Sequence, residues 1–141
     1  MTAVRAGAGP VAGLAVVVLT GLAAGAAPAA AGGDALTVPS GQPVSLLEVL
    51  SDGPTEQPVY RFRFVAPEIG GGLGFDRAAA DMAHLCRTYA LPRLAALGPA
   101  PAQVVISLSD RPLPFGETAP EAVQFFEVYR PEGEACIWEG F

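Results

Sequence analysis

The sequence predicts an α+β domain in which a small antiparallel sheet, ordered β-β-α-β-β-β, carries one main helix on a face. Three observations carry this expectation. In "VYRFRFVA" (59–66), Tyr60, Phe62 and Phe64 alternate with Arg61 and Arg63, the period of a strand with one buried face. From Phe75 to Tyr89, the residues Phe75, Ala78, Ala79, Met82, Leu85, Cys86 and Tyr89 recur at spacings of three and four, which makes one apolar stripe on a helix. "QVVISLS" (103–109) then returns to alternation through Val104, Ile106 and Leu108.

A leader precedes the domain. Arg5 supplies a positive start, Val11 to Leu22 form an apolar run, and small residues with A-x-A spacing follow at Ala27 to Ala31. That is the build of a cleavable signal peptide over residues 1–31. The strongly apolar part is shorter than the roughly 20 residues a spanning helix needs, so stable membrane insertion after cleavage is not expected. Residues 32–43 read as an extended lead-in, and 44–141 as a single domain, since about 110 residues suffice for one modest core.

Within the domain, "VSLLEVLSD" (44–52) is aliphatic and closed by "DGP", a first strand and turn that pair with 59–66 as a hairpin. Arg61 and Arg63 lie about 7 Å apart on one strand face. They are placed to clamp an anion or a partner's carboxylate, or to pair across the strands with a glutamate. "PEIGGGLG" (67–74) matches neither the dinucleotide fingerprint nor the P-loop and reads as a flexible linker. Asp76 is placed to cap the helix, and Pro92 to end or kink it at Leu91. "PRLAAL" restarts a short turn that Gly98 closes. "EAVQFFEVYR" (121–130) has two readings: Thr118 and Glu121 match a capping box, whereas Val123, Phe125, Phe126, Val128 and Tyr129 favour a strand. The turn "PEGE" and the returning "ACIWE" (135–139) favour a hairpin. Its register stays open: Cys136 and Trp138 share a face, and Phe126 and Val128 would make better partners there than Glu127.

Composition narrows the function. Without the leader, seven arginines face fourteen acids and there is no lysine. Such a domain lacks the basic stripe that nucleic acid requires. His84, the single histidine, and Cys86 are two residues apart on a helix, hence about 200° apart around it, and cannot share an ion. No metal and no cofactor are expected. Asp81 and His84 share a surface and read as an ordinary solvated pair. Two cysteines in an exported domain point to a disulfide between Cys86 on the helix and Cys136 on the last strand, which closes a loop of about 50 residues.

No elbow motif surrounds Ser107 or Ser109, so nucleophilic serine chemistry has no support. The expected role is that of a non-enzymatic periplasmic or secreted protein that binds or assists another envelope component. The candidate surface is the loop "DRPLPFGETAP" (110–120) with the aromatic hairpin, through Arg61, Arg63, Asp110, Phe115, Glu117 and Trp138. The alternative is a small periplasmic hydrolase that uses the carboxylates of Glu117 and Glu121, or His84.

The segments "VYRFRFVAP", "DMAHLCRTYALPRL", "VVISLSDRPLPFGE" and "QFFEVYR…CIWEGF" together resemble a family of small exported bacterial proteins catalogued as a domain of unknown function. The resemblance covers roughly residues 44 to 141. It implies that the two cysteines and the aromatic hairpin belong to a shared framework, and it assigns no activity, ligand or catalytic residue.

Overall fold

A computed structural model describes residues 34–52 and 56–140, together with the isolated Gly7, Gly9 and Gly13. The leader expected over residues 1–31 otherwise lies outside the described residues. Five strands form one sheet in the spatial order of the sequence: β1 (Ser45–Ser51), β2 (Val59–Val65), β3 (Gln103–Ser109), β4 (Gln124–Glu132) and β5 (Ala135–Trp138). The α+β class and the β-β-α-β-β-β order are as the sequence predicts.

The sheet is mixed rather than purely antiparallel. β1–β2, β3–β4 and β4–β5 pair antiparallel, but β2 and β3 run parallel, with Phe62 opposite Ile106 and Phe64 opposite Leu108. The reason is the helix between them. A helical crossover carries the chain back to the end where β2 began, so the next strand sets out in the same direction. In β1 one extra residue, Leu47, interrupts the register between Leu46 and Glu48 as a bulge.

The helical run starts at Gly74, whose carbonyl accepts from the Ala78 N–H, and not at Asp76. Asp76 lies in the first turn instead, where its charge still favours the exposed N–H groups of the helix end. α1 (Phe75–Leu85) widens into a π-turn (Cys86–Ala90), in which the Leu91 N–H donates to the Cys86 carbonyl. It then tightens into a 3-10 turn (Leu91–Arg93) and ends as α2 (Leu94–Leu97), which Gly98 closes. Pro92 neither ends nor breaks the run. It lacks an N–H and its ring crowds the preceding turn, and the change of helical pitch on either side of it absorbs both effects.

Met82, Leu85 and Cys86 are buried against Phe62, Phe64, Ile106, Leu108 and Tyr129, so the helix covers one face of the sheet. Tyr89 adds edge-to-face contacts with Phe62 and Phe64. Cys86 and Cys136 form a disulfide that ties this helix to the last strand.

Asp81 departs from the expected solvated pair with His84. It is fully buried on the flank of the stripe, because the lead-in wraps over it. Its Oδ1 accepts from the Ser40 N–H (2.9 Å), and its Oδ2 from the Ser40 hydroxyl (2.5 Å) and the Gln42 amide (2.7 Å). Burial of an ionised carboxylate requires such donors.

"PEIGGGLG" is likewise no loose linker. Residues Pro67–Gly71 form a 3-10 turn with Ile69 in the core. Gly70 packs so tightly on Asp110 that a Cβ there would lie 2.5 Å from the Asp110 Oδ2. Gly70→Ala is therefore expected to cost about 1–3 kcal/mol, the usual range for overpacking. Denaturant unfolding of G70A, D110A and the double variant checks the cause. The two costs should fail to add, because shortening Asp110 removes the carboxylate that the new methyl meets and leaves only the Cβ of residue 110, 3.0 Å away.

Candidate functional site

Alternation places Arg61 and Arg63 on the sheet face away from the helix. There the register sets Arg63, Ser107 and Phe126 side by side across three strands, with Glu48 opposite Arg63 on β1. Arg61, Val105 and Val128 form the neighbouring row. This is the floor of the candidate site.

The wall is the loop over residues 110–123. Both ends of it are tied down: the Asp110 N–H donates to the Val123 carbonyl (3.0 Å), and the Ser109 hydroxyl to the Arg111 carbonyl (2.8 Å). Midway, Arg63 reaches up from the floor to the Leu113 carbonyl (2.7 Å). The loop then turns, with the Glu117 N–H donating to the Pro114 carbonyl and Gly116 at a φ of 84°. Few side-chain-bearing residues adopt that conformation, so glycine fits the position. The turn holds Phe115 out over the floor, its ring centroid 5.7 Å from the Arg61 guanidinium carbon and 5.5 Å from that of Arg63.

Between floor and wall lies a cleft of about 320 Å³, near the lower end of the usual range for ligand sites. Arg61, Arg63, Val105, Ser107, Phe115 and Phe126 give it its character, with Glu117 and Thr118 at the rim. Its two arginines differ. The Arg63 side chain is 8 % exposed and is engaged by the Glu48 carboxylate and the Leu113 carbonyl. The Arg61 Nε is buried and makes no hydrogen bond; its nearest anion, Asp52, is 3.6 Å away and half exposed. Phe115 and Phe126 are 59 % and 57 % exposed, unusually open for rings of that size on a sheet floor and its wall.

The expected surface residues therefore separate into two groups. Arg61, Arg63, Phe115 and Glu117 meet in the cleft. Asp110 stands at the foot of the loop but turns away, to Gly70 and to an ion pair with Arg111 (3.1 Å) that holds its carboxyl below the usual range. Trp138 is on the opposite, helix-covered face. There it lies opposite Tyr129 and donates from its indole nitrogen to Glu127 Oε2 (2.5 Å).

The hairpin register, which the sequence leaves open, puts Glu127 rather than Phe126 or Val128 on the face of Cys136 and Trp138. The indole N–H gives the largely buried carboxylate the donor it needs, and Phe126 is released to the cleft. Burial, together with the neighbouring Glu127 charge, pushes the Tyr129 phenol well above its ordinary pKa.

His84 rides on α1, across the sheet from Glu117, and Glu121 is at the exposed end of the loop. No hydrolytic set is assembled from these three. Among the described residues, no group of three or more His, Cys, Asp or Glu side chains is placed to hold a metal ion. Nor is any described helix long and apolar enough to cross a membrane.

Sequence reasoning missed Ser107 and Val105 as cleft residues. Their strand was evident, but only its pairing with β2 and β4 shows which neighbours they have.

Fold and cleft define a small disulfide-tied α+β domain with an arginine–aromatic cleft on its open sheet face. The chain belongs to the family of unknown function DUF6497, whose model matches residues 17–141. No curated protein and no solved structure matches it.

Proposed function

We propose that the protein is a non-enzymatic binding protein of the cell envelope. After removal of its leader it engages another envelope component through the cleft between the open sheet face and the loop over residues 110–123. One observation carries this reading: two rings, Phe115 and Phe126, remain more than half exposed beside the Arg61 guanidinium on a floor of paired strands. Aromatic residues and arginine are the types enriched where partners bind most strongly. A rigid floor also keeps the ordering cost of association low. The disulfide is consistent with an oxidising compartment outside the cytoplasm.

The test places a photo-crosslinking residue at Thr118 on the cleft rim and, separately, at Thr88 on the exposed side of the helical run. Irradiation of intact cells is expected to give a discrete adduct from position 118 alone. Phe115→Ser with Phe126→Ser should abolish the adduct without changing the melting temperature. Equal adducts from both faces, or none, would sink the reading. The mass of the protein recovered from the envelope checks the leader separately: a chain shortened by about 30 residues is expected.

A further inference from the structure

We infer that the cleft recognises a carboxylate carried beside an apolar side chain, on an extended acidic–apolar segment of a protein partner. This deepens the binding role proposed above and rests on it.

The Arg61 guanidinium is the reason. Its Nε is buried without a hydrogen bond, and among the described residues its ion-pair partner, Asp52, lies 3.6 Å off at the solvent edge. A charged N–H···O contact of full strength is about 2.7–2.9 Å. The Arg61 side chain as a whole is about a third exposed and lines the cleft, so a ligand carboxylate reaches the guanidinium from the cleft side and offsets the cost of its unpaired donors. Phe115 lies over the guanidinium and favours the cation, which leaves the in-plane N–H groups as donors to a ligand. Phe115, Val105 and Phe126 supply the apolar surface for the neighbouring side chain.

The charge pattern limits the anion to one negative charge. Arg63 is already neutralised by Glu48, whereas Arg61 has only the long, solvent-edge contact with Asp52, so the cleft offers a single weakly engaged guanidinium. Glu117 at the rim repels any second negative group. A phosphoryl dianion finds no second cation there. A protein segment suits the site better than a free small acid, because the two exposed rings flank an open cleft along which a chain can run and cover both.

The full chain is titrated with acetyl-Ala-Phe-Glu-Phe-Ala-amide, with its glutamine counterpart and with 3-phenylpropionate, followed by backbone amide NMR. The glutamate peptide is expected to shift residues 105, 107, 115 and 126 and to bind about tenfold more tightly than the glutamine peptide, a difference of about 1.4 kcal/mol. Arg61→Gln should erase that difference and leave the melting temperature nearly unchanged, since an exposed ion pair contributes little stability. Glu117→Gln should strengthen binding of the glutamate peptide alone.

Equal affinity for both peptides, no binding of either, or a difference that survives Arg61→Gln would each overturn the inference. If 3-phenylpropionate binds as tightly as the glutamate peptide, the ligand is a free acid and the protein segment is ruled out. The two readings fail separately. Crosslinks from position 118 that persist in Arg61→Gln leave the binding role standing and remove the carboxylate, whereas absence of crosslinks removes the binding role itself.

Discussion

Replacing Cys86 and Cys136 together by serine is expected to lower the unfolding free energy by about 4 kcal/mol. The bond closes a loop of 50 residues, and the loss of closure entropy from the unfolded chain gives that figure. The loop holds the end of the helical run, β3 and β4, so two of the five strands lie inside it. Cys86 is fully buried among Met82, Leu85 and Tyr129, and a serine hydroxyl there adds a desolvation cost of its own. For a domain whose total stability is about 5–15 kcal/mol, such a loss brings the folded state close to its limit.

Equilibrium denaturation with and without reductant is the measurement. The midpoint should fall on reduction, and the slope should rise, because the uncrosslinked chain exposes more surface. A loss below about 1.5 kcal/mol would mean that the reduced chain keeps its ends together by other contacts.

Asp81→Ala is the second large effect, with an expected loss of about 3 kcal/mol. Its carboxylate accepts three hydrogen bonds inside the fold, from the Ser40 N–H, the Ser40 hydroxyl and the Gln42 amide. Bonds to a charged acceptor are worth about 1.5–3 kcal/mol each, and truncation leaves their donors buried without a partner. Part of the loss is recovered as the lead-in moves away and its donors reach water, which sets the expected total below the sum.

Asp81→Asn separates charge from shape. Its amide group keeps one acceptor oxygen but turns a donor toward Ser40 or Gln42, so its cost should fall between wild type and alanine. Ser40→Ala should lose about 1 kcal/mol, and much less in the Asp81→Ala background. Hydrogen exchange at Leu36 and Gly41 reports the same event locally, since both N–H groups are held in the lead-in turn and bridge. If those amides stay protected in Asp81→Ala, the carboxylate does not anchor the lead-in.

Asp81 also shows where reading the sequence stops. Its position three residues after Ala78 and four before Leu85 already placed it beside the apolar stripe, yet its charge argued for water. Only the lead-in folding across from 41 residues away supplies the donors that make burial acceptable. β2 and β3 were legible because alternation is a local property, and β3 matched residue for residue. Their parallel pairing was not, because it depends on where the helical crossover delivers the chain.

The same limit governed the site. Of the residues that the sequence puts on one candidate surface, Arg61, Arg63, Phe115 and Glu117 meet in one cleft, whereas Asp110 and Trp138 do not. The side that Trp138 takes stays open in the sequence, because the register that sets it opposite Tyr129 is a property of the paired strands and not of either one. The glycine run looked loose by composition, whereas close packing against Asp110 gives Gly70 its reason.

The enclosure of Cys86 also orders the events of maturation. Its sulfur has no exposure once the helix sits on the sheet, while Cys136 lies at the partly open edge. An oxidase can reach Cys86 only while the helix is still unseated. By synthesis order, the thiol of Cys86 must then wait for 50 further residues before its partner emerges. In a chain already folded, an oxidant therefore forms its mixed disulfide with Cys136, and the Cys86 sulfur then displaces the oxidant's thiol to close the bond.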